Sequence, residues 1–317
     1  MESMDENPAD NGDSTSEKGL KSDGTLTINS GTIVIDTVDD AIHSSGVLTV
    51  NGGEITITTG DDGLHSDVEL LINDGTVNIL KAYEGIEANQ ITVAGGDISV
   101  VTTDDGINAN GGSASFGGPG GESRSSNAAT DMPNLNITGG NIYVNSAGDG
   151  LDSNGDLTIT GGYTVVDGPS DAGNGALDCG TEIGGKMIIS GGVLFAGGSA
   201  AMVEPFDSTS AQASVKCILP SVYSEGTIIK VTGADGTVYF EHEARSAGNS
   251  IIFSCPELKT ADTFTLTVGD AEYEITLSSV NAQFNISADG TIEEGASTGA
   301  MAGMPGGSRE QMGEYKE

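Results

Sequence analysis

The stretch Gly52 to Asp67, GGEITITTGDDGLHSD, recurs along the chain in altered form at a nearly fixed interval, and few folds accommodate such a repeat. Its turn glycine has counterparts at Gly31, Gly53, Gly75, Gly96, Gly140, Gly162 and Gly192, separated by 22, 22, 21, 44, 22 and 30 residues. Between the glycines, apolar residues alternate with polar ones: Leu48 and Val50 then Ile55 and Ile57, Leu70 and Ile72 then Val77 and Ile79, Ile91 and Val93 then Ile98 and Val100. A period of two marks short strands with one face inward, and helical spacing is missing. About 22 residues hold three such strands and three turns. The expected fold is all-β, a right-handed parallel β-helix, because the left-handed form carries a six-residue period that this chain lacks.

Stacking successive coils about 4.8 Å apart should align Ile28, Val50, Ile72, Val93, Ile137, Ile159 and Ile189 in one inward column. Asn29, Asn51 and Asn73, followed by Ala94, Thr138, Thr160 and Ser190, form a turn column whose side chains are expected to cap neighbouring turns.

Residues 1–22 read as a disordered polar linker without the basic-then-apolar layout of a signal peptide, so any export signal is expected to have been removed already. The β-helix is expected over 23–204, broken by an insertion at 111–134 in which Phe116 and Arg124 are the residues to test for ligand contact; a shorter insertion spans 168–174. Alternating segments at 214–219, 227–231, 237–240, 251–253, 264–268 and 273–277 read as a small antiparallel β module, 205–287, that caps the last coil, and 288–317 as a disordered tail.

A formal net charge of -36 repels phosphate backbones and excludes nucleic acid as a natural partner. Cations, or ligands that arrive with cations, are the partners such a surface attracts. No apolar run is long enough to span a bilayer. Cys179, Cys217 and Cys255 cannot make a disulfide framework, although Cys217 and Cys255 could pair.

The chemistry lies at one corner of the repeat. Asp39, Asp40, Asp61, Asp62, Glu84, Asp104, Asp105 and Asp149 align there, followed two or three residues later by His43, His65, Glu87, Asn108, Asp152 and Asp178. Carboxylates about 5 Å apart repel by roughly 1 kcal/mol in water and by more where water is restricted, so a vertical run of them calls for a counter-ion. Oxygen ligands from adjacent coils are what calcium takes. Each acid forming only a solvated turn is the competing reading. His43 and His65 raise zinc, but the next equivalent residue is Glu87 and no thiolate lies in the column, so the spacing does not support a closed zinc site.

The repeated I-T-x-G-G-x-I-x-V/I followed by D-D-G-I/L, seen in Ile137-Thr138-Gly139-Gly140-Asn141-Ile142-Tyr143-Val144 with Gly148-Asp149-Gly150-Leu151-Asp152, resembles secreted bacterial β-helix proteins described as carbohydrate-binding domain-containing proteins. The segment Ser254-Cys255-Pro256-Glu257-Leu258-Lys259 with Thr263-Phe264-Thr265-Leu266 resembles the region C-terminal to the helix in that family. The resemblance implies a right-handed solenoid similar to calcium-dependent pectate lyases, bound Ca2+, and binding of plant cell-wall polysaccharide, acidic sugars or cellulose, outside the cell or at its surface.

The resulting expectation is a non-catalytic binder in which calcium on the acid column bridges to uronate carboxylates while Tyr83 or Tyr143 contacts sugar rings. A calcium-dependent pectate or uronate lyase is the alternative, with Lys81 as the base; Arg124 and Lys186 are the other basic candidates. A surface adhesin or spacer is the third reading, with the acids serving stability alone.

Overall fold

The computed structural model describes residues 17–110 and 132–295. The protein is all-β with a large, mostly parallel sheet, and the described residues contain no α-helix, only a 3-10 turn at Thr181–Ile183. Three parallel ladders account for the repeat.

The middle ladder runs through Leu26–Ile28, Val47–Val50, the ends of Leu64–Ile72 and Ile86–Val93, Asn134–Ile137, and the starts of Asp156–Asp167 and Met187–Gly198. The face ladder runs through Thr32–Asp36, Glu54–Thr58, Thr76–Ala82, Asp97–Thr102, Asn141–Asn145 and the ends of the two long strands. The corner ladder joins Leu20–Ser22, Ile42–Ser44, the starts of Leu64–Ile72 and Ile86–Val93, Ile107–Ala109 and Leu151–Ser153, ending in a bridge to Leu177.

Ile28, Val50, Ile72, Val93, Ile137, Ile159 and Ile189 succeed one another in the middle-ladder register, and all are buried. Burying each such side chain contributes about 1.5–3 kcal/mol, and because neighbours in the column are the equivalent residue one repeat away, aliphatic side chains fill the space without aromatic rings. The turn glycines have a backbone reason: Gly31, Gly53, Gly75, Gly96, Gly140, Gly162 and Gly192 all have φ between 84° and 113°, where a side chain is strained. Asn51 donates to Asn29 at 2.9 Å and Asn73 to Asn51 at 2.7 Å, so the turn column is a hydrogen-bonded ladder. The interval of 44 hides no further repeat, because Asp97–Thr102 pairs directly with Asn141–Asn145.

Several boundaries differ from expectation. Leu20–Ser22, inside the expected linker, pairs with Ile42–Ser44. Asn134, assigned to the insertion, opens a strand of the middle ladder, whereas Phe116 and Arg124 lie outside the described residues. The C-terminal strands divide: Ile228–Gly233, Val238–Glu243, Thr263–Val268 and Ala271–Thr276 make a separate antiparallel sheet, while Ser214–Tyr223, Gly248–Ser254 and Asn281–Ile286 extend the large one. Ile292–Glu294, placed in the expected tail, pairs with Asn281–Ile286. Here Phe195, Phe240, Phe253, Phe264 and Phe284 build an aromatic core distinct from the aliphatic columns. All three cysteines are buried and free, so Cys217 and Cys255 are not joined.

Candidate functional site

The corner ladder brings the expected acids together but sorts them into three groups. Its outward column reads His43, His65, Glu87, Asn108 and Asp152 in strict register. The strand pleat turns Ile42, Leu64, Ile86, Ile107 and Leu151 inward and forces these polar neighbours outward, against the corner acids that precede each strand.

At the first corner, Asp39, Asp40 and Asp61 offer oxygens within 4.8 Å of one another. Lys18 already supplies a positive charge there, its Nζ bonding Asp40 and lying 3.0 Å from Asp39. Burial alone would raise the Asp40 carboxyl, but His65 and Lys18 beside it hold it well below the ordinary range. Asp61, lacking such a partner, is raised by burial and by Asp62 and Asp40. Lys18 was not legible as a site residue because it stands in a polar run ahead of the first repeat.

The second group is a pair of overlapping trios, Asp40 with His43 and His65, and Asp62 with His65 and Glu87. The two imidazoles stack with centroids 4.7 Å apart and planes 9° from parallel. Burial would lower His65, yet Asp40, Asp62 and Glu87 raise it to about 10.

The third group, Asp105, Asp149 and Asp152, consists of carboxylates alone, again with oxygens within 4.8 Å. Asp105 accepts the Asp149 backbone N–H at 2.7 Å, and Asp149 accepts that of Gly175 at 2.5 Å, so one oxygen of each binds the next repeat. Asn108, 5% exposed, donates from Nδ2 to Glu84 and Asp105 at 3.2 Å each, while its buried Oδ1 has no hydrogen-bond partner. Burial, reinforced by neighbouring carboxylates, pushes Glu84 to about 9, Asp152 to about 8, Asp149 to about 7 and Asp105 to about 6. Asp178 is raised in the same way by burial and Glu182. Glu87 rises to about 7 through burial, with His65 pulling the other way and Asp62 adding to the rise. Glu84 and Asp152 therefore keep their protons near neutral pH unless a cation displaces them. The all-oxygen donor set of Asp105, Asp149 and Asp152 is of the kind that calcium takes.

The two tyrosines do not share a site. Tyr83 is exposed beside the acid column, and its hydroxyl is pushed up to about 12 by a hydrogen bond to Asp104. Tyr143 lies on the face ladder, its hydroxyl 3.1 Å from buried Asp167 and its ring against His242. There Asn141, Tyr143, Tyr163, Val165 and His242 line a cavity of about 310 Å³, and a groove of about 410 Å³ beside it runs past Asp74, Asp97, Asn141 and Tyr163. Tyr163, next in the chain after turn glycine Gly162, is the aromatic residue the repeat pattern passed over. Lys81 sits exposed in Thr76–Ala82, opposite Thr58, and Lys186 pairs at 3.8 Å with Asp207 rather than with the acid column.

The fold and site thus define an all-β protein of mostly parallel strands that carries a line of half-buried carboxylates along one corner and an aromatic groove on another face. Residues 2–63 match the family described as carbohydrate-binding domain-containing protein. That match takes in the first two corners and supports a carbohydrate partner. No curated protein and no solved structure matches the chain. Among the described residues no helix is long and apolar enough to cross a membrane.

Proposed function

We propose that this chain is a secreted or cell-surface, non-catalytic protein that binds an acidic plant cell-wall polysaccharide through calcium, and that its three ladders wind as a right-handed parallel β-helix. The winding is supported by the return of every ladder once per repeat in parallel register. The observation that carries the ligand reading is the cluster of Asp105, Asp149 and Asp152, whose oxygens lie within 4.8 Å of one another, taken with the carbohydrate-binding family match at residues 2–63.

Asp105, Asp149 and Asp152 would hold the ion, with the Asp178 carboxylate beside them. Calcium supplies a hard charge that protein and uronate carboxylates share. Tyr83, on the same corner, offers an exposed ring for stacking on a sugar. A lyase would also require a base at the corner. Lys18 is engaged by Asp39 and Asp40, and Lys81 lies on a solvent-facing strand position, which favours binding without bond cleavage.

Calorimetry with polygalacturonate, with and without a calcium chelator, tests this while absorbance reports unsaturated product in the same samples. Calcium-dependent binding without product is the expected result. Product formation that disappears in Lys81→Ala would establish the lyase instead, and no binding in either condition would leave the column a structural device of an adhesin or spacer. Cellulose, which carries no charge, is the comparison ligand whose binding would not respond to the chelator.

A further inference from the structure

The groove on the face ladder takes no part in the calcium cluster, which belongs to the corner ladder. Asp97, Asn141 and Tyr163 follow one another in the face-ladder register, and all three are exposed. They recur about every 4.8 Å, close to the rise of one residue in an extended pyranose chain. Beside them the groove is lined by turn glycines, among them Gly96, Gly140 and Gly162. A Cβ on Gly96 or Gly162 would meet a carbonyl oxygen of the preceding repeat at 2.7 or 2.8 Å. The stacking that demands glycine thus leaves one side of the groove as bare backbone.

The polar groups are few and unsatisfied. Asn141 Nδ2 donates to Asp97 Oδ1 at 2.7 Å, while Asn141 Oδ1 and Asp97 Oδ2 have no hydrogen-bond partner among the described residues. Asp74 adds a second exposed carboxylate, and no lysine or arginine lines either the groove or the cavity that adjoins it. Two carboxylates without a cation repel an anionic ligand, whereas sugar hydroxyls donate to them in charge-assisted hydrogen bonds. Tyr163 lines groove and cavity alike; its ring is 40% exposed and lies against Phe240, with centroids 6.3 Å apart. A ring held in this way offers an apolar face to the C–H side of a sugar. Beyond it the cavity is lined by Ile142, Tyr143, Val165 and His242. Tyr143 and His242 both bond Asp167, at 3.1 and 2.8 Å, so that wall is set before a ligand arrives.

We propose that this groove is a second glycan site, which takes a neutral, extended polysaccharide chain without calcium. Tyr163 is the stacking platform, and Asn141 and Asp97 contact the hydroxyls. The inference rests on the carbohydrate reading supported by the family match at residues 2–63, and it is independent of the ion at the corner. The repeat pattern conceals the site because the counterparts of Tyr163 in register are Asp97, Asn141 and Val193, which share no chemistry.

Calorimetry of the full chain in chelator with cellohexaose, xylohexaose and mannohexaose, and with hexagalacturonate as the charged comparison, tests the assignment. At least one neutral oligomer should bind, and hexagalacturonate should not. Tyr163→Val installs the residue that the next repeat carries at this place, Val193, and should weaken neutral binding roughly two- to tenfold. Tyr163→Phe, which keeps the ring, should retain most of it. Asn141→Ala should weaken it by a similar factor, roughly two- to tenfold. Thermal melts of the variants verify folding. Neutral binding that survives Tyr163→Val, its absence from the parent chain, or equal binding of hexagalacturonate in chelator would overturn the proposal. The calcium reading fails separately, on polygalacturonate binding with calcium present.

Discussion

Asp105 Oδ1 accepts the backbone N–H of Asp149 at 2.7 Å, one repeat further along the corner, while Asp105 Oδ2 takes the Asn108 amide at 3.2 Å. The acid column therefore has a structural duty as well as a chemical one, and the two make opposite demands on charge. A carboxylate is a good acceptor for the next repeat, yet burial beside its neighbours penalises its ionised form.

The pH dependence of stability arises from that conflict. Glu84, Asp152, Asp149 and Asp105 ionise at about 9, 8, 7 and 6 in the folded chain, above their ordinary values of 4.5 for Glu and 3.8 for Asp. The folded state thus binds more protons than the unfolded one across this interval, and its stability falls as pH rises. His65 acts in the same direction, since its stabilising charge is complete below 6.5 and lost as pH passes about 10. Asp40, held low, contributes stability that is lost only in stronger acid. Thermal melts in chelator should show a falling midpoint from about pH 5 to about pH 9, and calcium should flatten that slope. A flat profile in chelator would show that the acids carry no such penalty.

Gly85 tests how tightly the corners stack. A Cβ there would lie 2.3 Å from the Gly106 carbonyl oxygen and 2.3 Å from Val100 Cγ1. Gly85→Ala should cost about 1–3 kcal/mol in denaturant unfolding. Ala41 and Ala176 occupy the equivalent position in outer repeats, so the penalty is a local backbone adjustment and the fold should survive.

Asn51 occupies the middle of the asparagine ladder, accepting from Asn73 and donating to Asn29. Asn51→Ala breaks both bonds and should cost about 0.5–1.5 kcal/mol for each. Asn29→Ala, which breaks one, should cost about half as much. Equal losses in the two variants would mean that the ladder's bonds do not act separately.

Much of the architecture was legible because repetition multiplies weak signals. A single positive-φ glycine is ambiguous, whereas seven at matching positions define the turn; the same is true of the column from Ile28 to Ile189. The hidden features were carried by residues without counterparts in other repeats. Lys18 and the strand Leu20–Ser22 precede the periodic region, so the polar run masked them. Tyr143 was legible as an outward ring, but its place under His242 depends on a strand almost a hundred positions later. The division of the C-terminal strands between two sheets depends on pairings such as Ser214 with Asn281, which local alternation cannot express.

Asp167 is where that late segment is tied to the repeats. Its carboxylate, 1% exposed, takes the His242 Nε2 at 2.8 Å and the Tyr143 hydroxyl at 3.1 Å. Around it, Phe240 stacks on Phe195 with centroids 4.8 Å apart, joining the separate antiparallel sheet to the outer side of the face ladder. The rings bind through area, but the carboxylate fixes the approach, because a buried charge tolerates no displacement of its donors. Asp167→Ala should cost about 1.5–3 kcal/mol, and should speed hydrogen exchange in Val238–Glu243 more than in the aliphatic repeats. His242→Gln should recover part of the loss seen in His242→Ala by keeping a donor for the carboxylate. If Asp167→Ala leaves exchange in that strand unchanged, the aromatic contacts alone hold the two sheets together.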